Sequence, residues 1–589
     1  MKGLARLRRL ICVHRRWFIA GLLCVPGAVA LELWIPQLLG AGIDMVERAV
    51  TGDGDGLGAI GGRLGQLFFV VVGLTALKNA FRFGMRYWQN IACRLVEQDL
   101  RHELVAHLEG LSASYFDRNR TGDLMSRATA DIEAVRMALG PGLMYLLNTL
   151  LMLPLALAYL ISLDPWLTLA LSIPLAGLAL TVRFMGPHLH RRSRTVQDRS
   201  ADLSARAVDN FQGIRVVQAF NRQAAETAAF HDLSKSYATA QLELAKTRGW
   251  LQVLLGGGRR LCLLAILLVG GSAVMSERLT IGDFFIFIQY SEMLFFPLMA
   301  FGWVLGLFQR GRAAWDRLIE VFGARAEIDP DPGVAPKRDL SGDIRFENLT
   351  FGYEPDRPVL RDLNLHIRAG ETVGIVGPTG SGKSTLARLI ARLYPAAPGH
   401  LFLDGRAIDT LPLHWIRRQI GYVPQETFLL SDTMRANILF GRPDATEDEV
   451  EWAARVSQID HDIAEFKSGY DQMIGERGVT LSGGQKQRTA LSRAVIRKPG
   501  ILILDDSLAA VDSETEHRIL DELEVVMRDR TCLFISHRIS ALRDVDRLIV
   551  LEEGRLVEEG SHEELLEAGG VYARLFREHN LEQEIEELP

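Results

Sequence analysis

The chain has 589 residues, more than one compact domain usually holds, so at least two separately packed units are expected. Hydrophobic residues make up 48% and charged residues 23%, a blend of an apolar part joined to an ordinary soluble one. The formal net charge of -6 argues against nucleic acid held on a broad basic face, and the five cysteines, Cys12, Cys24, Cys93, Cys262 and Cys532, lack the paired spacings of a zinc site or a disulfide framework.

At the start, Lys2, Arg6, Arg8, Arg9, Arg15 and Arg16 precede an apolar stretch that runs on to about Asp44 without a small-residue cleavage site. It reads as a first membrane span rather than a signal peptide. A helix crossing the hydrocarbon core needs about 20 predominantly apolar residues. Six stretches meet or approach that length, at roughly 17–44, 58–83, 137–163, 166–187, 249–275 and 281–308. Cations then orient them, because loops near span ends are rich in Lys and Arg on the cytoplasmic side. The N-terminal segment and the long stretches 84–136 and 188–248 are rich in Arg, residues 163–166 carry no Lys or Arg, and the other two short links hold only Arg48 and Arg278. Both termini and both long stretches are expected to be cytoplasmic. Apolar residues at helical spacing, as in Leu95, Leu100, Leu104 and Leu108, predict that the long stretches are helical extensions of the spans. Each turns near residues 119–123 or 210–213, either as a plain hairpin tip or as a coupling element that meets a second domain. Glu32, Lys78, Arg82 and Glu292 lie in or near spans, where an ionisable side chain either lines a cavity or snorkels from a span end.

Three prolines among several charges mark residues 327–344 as a linker. A membrane unit is thus expected over 1–326, a soluble α/β domain over 345–578 and an acidic tail over 579–589. The apolar strand 372–376 runs into Gly377, Pro378, Thr379, Gly380, Ser381, Gly382, Lys383, Ser384 and Thr385 and then a helical pattern. This matches the phosphate-binding loop in residues and in context. Its glycines let backbone amides curl around phosphate oxygens, and the following helix points its positive end at the same anion. Lys383 is expected to neutralise the β- and γ-phosphates and Ser384 to ligate magnesium, which makes ATP and Mg2+ the expected cofactors. A second apolar strand, 501–504, delivers Asp505 and Asp506 at its carboxyl end, where a doubly wound sheet places ligand contacts. Asp505 suits the magnesium-linked position; otherwise the pair merely caps a strand. Between the two strands, Ser482, Gly483, Gly484 and Gln485 open an amphipathic helix that Ser482 can cap, leaving amides for an anion.

In combination these motifs resemble the signature set of the ATP-binding cassette family. Roughly residues 10–575 are similar to an exporter half-transporter. The fold this implies is a membrane all-α domain of six transmembrane helices with long cytoplasmic extensions, followed by an α/β P-loop ATP-binding cassette domain. The resemblance further implies that Tyr353 in Phe-Gly-Tyr stacks on adenine and that Gln425 in Val-Pro-Gln-Glu senses magnesium and the membrane domain. It gives Asp512 the acidic end of a loop crossing a dimer interface, and His537 in Ile-Ser-His-Arg the γ-phosphate-sensing position. Two cassettes would close head to tail over two ATP molecules, each nucleotide lying between one phosphate loop and the partner's Ser482 to Gln485 signature. The implied partner is a second half-transporter in the inner membrane.

The chain departs from the family pattern at one position. Fully hydrolytic members usually carry glutamate where this chain has Asp506, a carboxylate one methylene shorter. Misplacement of about 1 Å costs on the order of a hundredfold in rate. Asp506, His537 and Gln425 are still the expected catalytic set, but the arrangement resembles the degenerate-site subunit of bacterial heterodimeric multidrug exporters. A homodimer in which Asp506 serves adequately is the competing assembly. The implied function is ATP-driven export of amphipathic small molecules or lipids. The alternatives are an ATP-gated channel or regulatory membrane protein, or a homodimeric lipid flippase. Six spans disfavour a soluble cassette.

Overall fold

The computed structural model describes residues 2–51, 57–354, 356–475, 478, 480–538 and 542–586. The chain divides into two compact units: Met1–Glu109 with Gly122–Gly323, and Gly110–Thr121 with Ala324–Pro589.

In the first unit, the described residues contain six helices long and apolar enough to cross a membrane: Arg15–Val50, Gly61–Glu109, Thr121–Leu163, Pro165–Gln212, Gln223–Met275 and Ile281–Gly323. Each has at least 36 residues, well beyond the roughly 20 that a bilayer requires, so the apolar windows continue as polar helical extensions. A short amphipathic helix, Lys2–Val13, precedes the first span. The fourth begins at a strong local signal: Pro165 occupies its first turn, and Asp164 Oδ1 accepts hydrogen bonds from Trp166 N at 2.8 Å and Leu167 N at 2.9 Å.

The first and sixth spans touch backbone to backbone. A Cβ on Gly282 would lie 2.2 Å from Gly40 O, and Gly282 N donates to Asp44 Oδ1 at 2.6 Å. Only glycine permits that approach. Nearby, fully buried Tyr290 donates to Leu33 O at 2.7 Å and accepts from Gln37 Nε2 at 2.9 Å. Ionisable residues in the spans also find partners: Arg82 Nη2 lies 2.5 Å from Glu32 Oε1, and Arg259 Nε lies 3.1 Å from Glu292 Oε1. Closer to the ends of the helices, Arg317 grips buried Asp131, and Glu97 sits among Arg94, Arg101 and Arg136.

The second unit is built on two sheets. Its strands are β1 (Ile344–Phe351), β2 (Leu360–Ile367), β3 (Thr372–Val376), β4 (Leu401–Leu403), β5 (Arg406–Ala407), β6 (Ile420–Val423), β7 (Ile501–Asp505), β8 (Thr531–Ile535), β9 (Arg547–Glu552) and β10 (Arg555–Gly560). One sheet is antiparallel, in the order β2-β1-β4-β5. The other runs β10-β9-β3-β8-β7-β6 and is parallel except for its β10 edge. Its central strands read as unbroken apolar runs because both faces are covered. Ile501 and Ile503 of β7 enter one core with β1, β2 and the helix Lys383–Ile390, while Leu502 and Leu504 enter another with the helices Gly483–Val495 and Ser513–Met527. A satellite core of Leu429, Met434, Ile438, Val450 and their neighbours supports the base of the helix Gly483–Val495.

Two features differ in detail from the sequence expectation. The second helix ends at Glu109, ahead of the turn expected near 119–123, and the short helix Ala113–Arg118 groups with the second unit. Ser114 Oγ donates to Glu327 Oε2 at 2.6 Å, and Tyr394 Oη donates to Asp117 Oδ2 at 2.5 Å. The linker is irregular yet laid against its unit: Ile328 and Leu340 are buried, and the Asp404 carboxylate accepts from the backbone N–H groups of Ser341, Gly342 and Asp343. Apolar anchors and an aspartate make an irregular chain adhere without regular structure. The acidic tail extends the helix Val571–Glu586, and Glu587, Leu588 and Pro589 lie outside the described residues.

Candidate functional site

Four parallel strands end side by side in the order β3-β8-β7-β6, and each carboxyl end carries one of the sequence motifs. β3 leads into the loop 377–382, β8 into His537, β7 into Asp505 and Asp506, and β6 into Gln425. Residues far apart in the sequence are thus collected along one sheet edge.

The loop after β3 turns on glycines in left-handed or otherwise positive-φ conformations, with Gly380 at φ 84° and Gly382 at φ 103°. A Cβ on Gly382 would lie 2.7 Å from Leu360 Cδ2, whereas one on Gly380 would meet no heavy atom within 4 Å. Lys383 is buried, and its ammonium donates to Gly377 O at 2.7 Å and Pro378 O at 2.9 Å. Burial holds its pKa below the usual lysine value, opposed by the charges of Asp505 and Asp506. Ser381 is 3% exposed, and its Oγ has no hydrogen-bond partner among the described residues.

Ser384 Oγ donates to Asp505 Oδ1 at 2.8 Å, and Tyr422 Oη stands 3.5 Å from Asp505 Oδ2. Burial pushes the Asp505 carboxyl above its ordinary pKa, and the Ser384 hydrogen bond partly offsets that rise. Asp506 has φ 50°, a left-handed conformation that aspartate tolerates better than most side chains. Its backbone N–H donates to Ile535 O at 2.7 Å, and Gln425 Nε2 lies 3.4 Å from its Oδ2. Tyr353 presents a half-exposed ring beside the loop. Its hydroxyl lies 3.1 Å from Thr385 Oγ1 and accepts from Arg388 Nη1 at 3.1 Å, while Tyr394 packs edge-on at 4.9 Å.

The remaining motif residues are held elsewhere in the same unit. Ser482 and Gln485 form a reciprocal capping box on the helix Gly483–Val495, with Ser482 and Gly483 exposed. Asp512 caps the helix Ser513–Met527 by accepting from Thr515 N at 2.9 Å, and that hydrogen bond holds its carboxyl below the ordinary pKa. His537 is exposed. Two residues that sequence reading did not single out connect these parts. Gln487 accepts from Ala510 N, and Arg538 bonds the carbonyls of Ala509 and Val511. Gln487 had only its place beside the signature as a signal; Arg538 had its place after His537.

These groups fit a nucleoside triphosphate with magnesium. The orphaned Ser381 hydroxyl, the ammonium of Lys383 and the space over Gly380 suit phosphate oxygens, and the hydroxyl, carboxylate and amide oxygens of Ser384, Asp505 and Gln425 are hard donors of the kind magnesium takes. Among the described residues no three His, Cys, Asp or Glu side chains cluster as a metal site.

Residues 18–298 match the family model of the ABC transporter transmembrane region, and residues 360–509 match the family model ABC transporter. The uncharacterized ABC transporter ATP-binding protein YknU of Bacillus subtilis is 34% identical over 581 residues, covering 98% of this chain and 97% of that protein. The chain belongs to the ATP-binding cassette (ABC) exporters. The probable multidrug resistance ABC transporter ATP-binding/permease protein YheI of Bacillus subtilis is likewise 34% identical, over 94% of this chain and 93% of its own length. A solved structure of a bacterial Atm1-family ABC exporter with ATP bound aligns with TM-score 0.73 and 29% identity, covering 96% of this chain and 98% of the other. This ABC exporter chain is a half-transporter: one multi-pass membrane unit and one cassette that binds ATP, an ATPase coupled to transport across a membrane.

Proposed function

We propose that this chain is the weakly hydrolytic subunit of a heterodimeric exporter that moves amphipathic small molecules or lipids outward across the inner membrane, with both termini cytoplasmic. The observation that carries this reading is the catalytic corner, where a short aspartate stands at a left-handed backbone position with Gln425 3.4 Å away. Tyr353 would stack on adenine, and residues 377–385 would cradle the phosphates with Lys383 as counter-charge. Ser384, Asp505 and Gln425 would hold Mg2+, whose charge stabilises the transferring phosphoryl group. Asp506, one methylene shorter than glutamate, would orient the attacking water less well, and His537 would contact the γ-phosphate. Ser482, Gly483, Gly484 and Gln485 would complete the second subunit's site, and Asp512 would sit at the crossing between cassettes. The name of YheI supports an amphipathic cargo, and differential ATP affinity for the closed pair supplies the drive.

The test has two arms. The chain purified alone should turn ATP over slowly, and Asp506→Glu should raise kcat about tenfold or more, since placement of water is worth on the order of a hundredfold. Fast wild-type turnover without a partner, unimproved by glutamate, would defeat the unequal-pair reading. Inside-out vesicles holding the complete pair should accumulate a fluorescent amphipath uphill only with ATP; purely downhill flux would point to a channel instead.

A further inference from the structure

The loop 506–511, which begins at Asp506, is gripped from two sides. On one side, Gln487 is 7% exposed, and its amide is used at both ends: Oε1 accepts from Ala510 N at 2.9 Å, and Nε2 lies 3.4 Å from Asp506 O. The signature glycines press on the same loop, for a Cβ on Gly484 would lie 2.8 Å from Ala510 O and one on Gly483 would lie 3.2 Å from Ala510 Cβ. On the other side, Arg538 donates to Val511 O at 2.9 Å and Ala509 O at 3.0 Å while pairing with Glu516 at 2.8 Å.

Ser482 and Gln487 belong to the first turns of one capped helix, separated by roughly 7.5 Å along its axis at 1.5 Å per residue. A capped helix is stiff over that length, so displacement at the exposed Ser482 end reaches the amide of Gln487 with little loss. We propose that Gln487 is a positioning residue that makes the signature turn and the loop 506–511 move as one body. A phosphate group held at the Ser482 end then resets Asp506. This rests on the reading above, in which Ser482 and Asp506 serve two different ATP sites of a cassette pair. Under that reading Gln487 links the two sites within a single chain, and the coupling in binding free energy is reciprocal. A merely structural Gln487 would satisfy Ala510 N–H without transmitting anything.

Hydrogen exchange on this chain reconstituted with its second subunit in lipid nanodiscs, with and without Mg-ATP, separates these roles. In the wild type, ATP should slow exchange at 483–485 and at 506–511 together. Gln487→Leu should keep the slowing at 483–485 and lose it, at least fivefold, at 506–511. Gln487→Glu, which keeps the acceptor for Ala510 N–H but loses the donor facing Asp506 O, should restore it only in part. Gln487→Met serves as a second apolar variant, and either counts only if its nucleotide-free unfolding midpoint matches the wild type. Unaltered slowing at 506–511 in the apolar variants would overturn the proposal. So would wild-type slowing at 483–485 alone, and that outcome leaves the paired-site reading standing. No slowing at 483–485 in the wild type would instead sink the paired-site reading, and the proposal with it.

Discussion

Asp505 is 1% exposed, and its burial disfavours the charged carboxylate in the folded chain. A carboxyl whose folded pKa lies above its unfolded value binds its proton more tightly when folded. Its ionised form therefore costs stability above that pKa, and the cost disappears as pH falls through it. Asp505→Asn should accordingly raise the unfolding midpoint of the nucleotide-free protein at pH 8 more than at pH 5, by roughly 2–4 °C for each kcal/mol relieved, while abolishing ATP hydrolysis. Thermal unfolding at the two pH values, beside an ATPase assay, checks both halves. The neighbouring Asp506→Glu exchange should run the other way. A longer side chain at φ 50° should lower the midpoint slightly as turnover rises. The motif residues were legible in the sequence because phosphate chemistry demands particular residue types at fixed spacing. Gln487 and Arg538 were not, because their roles depend on backbone atoms of another segment.

The cassette helices and strands carry their own stability signals. β7 is buried along its whole length, so Leu504→Ala should cost about 2–5 kcal/mol and shift the cassette's unfolding transition in denaturant. The cap at Asp164 is worth less: Asp164→Ala should cost about 1 kcal/mol, since two backbone N–H groups lose their acceptor. The six spans were readable from apolar length alone. The grouping of the segment Gly110–Thr121 carries no local signal, because it rests on contacts such as Tyr394 with Asp117 that join it to the cassette's unit. Likewise Glu32, Arg82 and Glu292 were visible as costly charges, whereas Arg259 as the partner of Glu292 emerged only from the pairing of helices.

For the whole molecule, the unequal pair proposed above predicts unequal mutational costs. In a pair reconstituted with its second subunit, Ser482→Arg on this chain should abolish most turnover, because it blocks the competent site, whereas Lys383→Ala should spare the larger share. Comparable losses from both, measured by ATPase at saturating ATP, would indicate two equivalent sites. The sequence by itself determined the six apolar spans, the phosphate loop, the acidic strand end, the signature and the odd aspartate, because these are set by local composition and by chemistry within a few residues. Only the tertiary structure decided that β3, β8, β7 and β6 lie side by side so that their four motifs meet, that Asp506 adopts a left-handed backbone, and that Gln487 ties the signature helix to the loop bearing Asp506. Those facts depend on strand order and long-range hydrogen bonds, which no local pattern encodes.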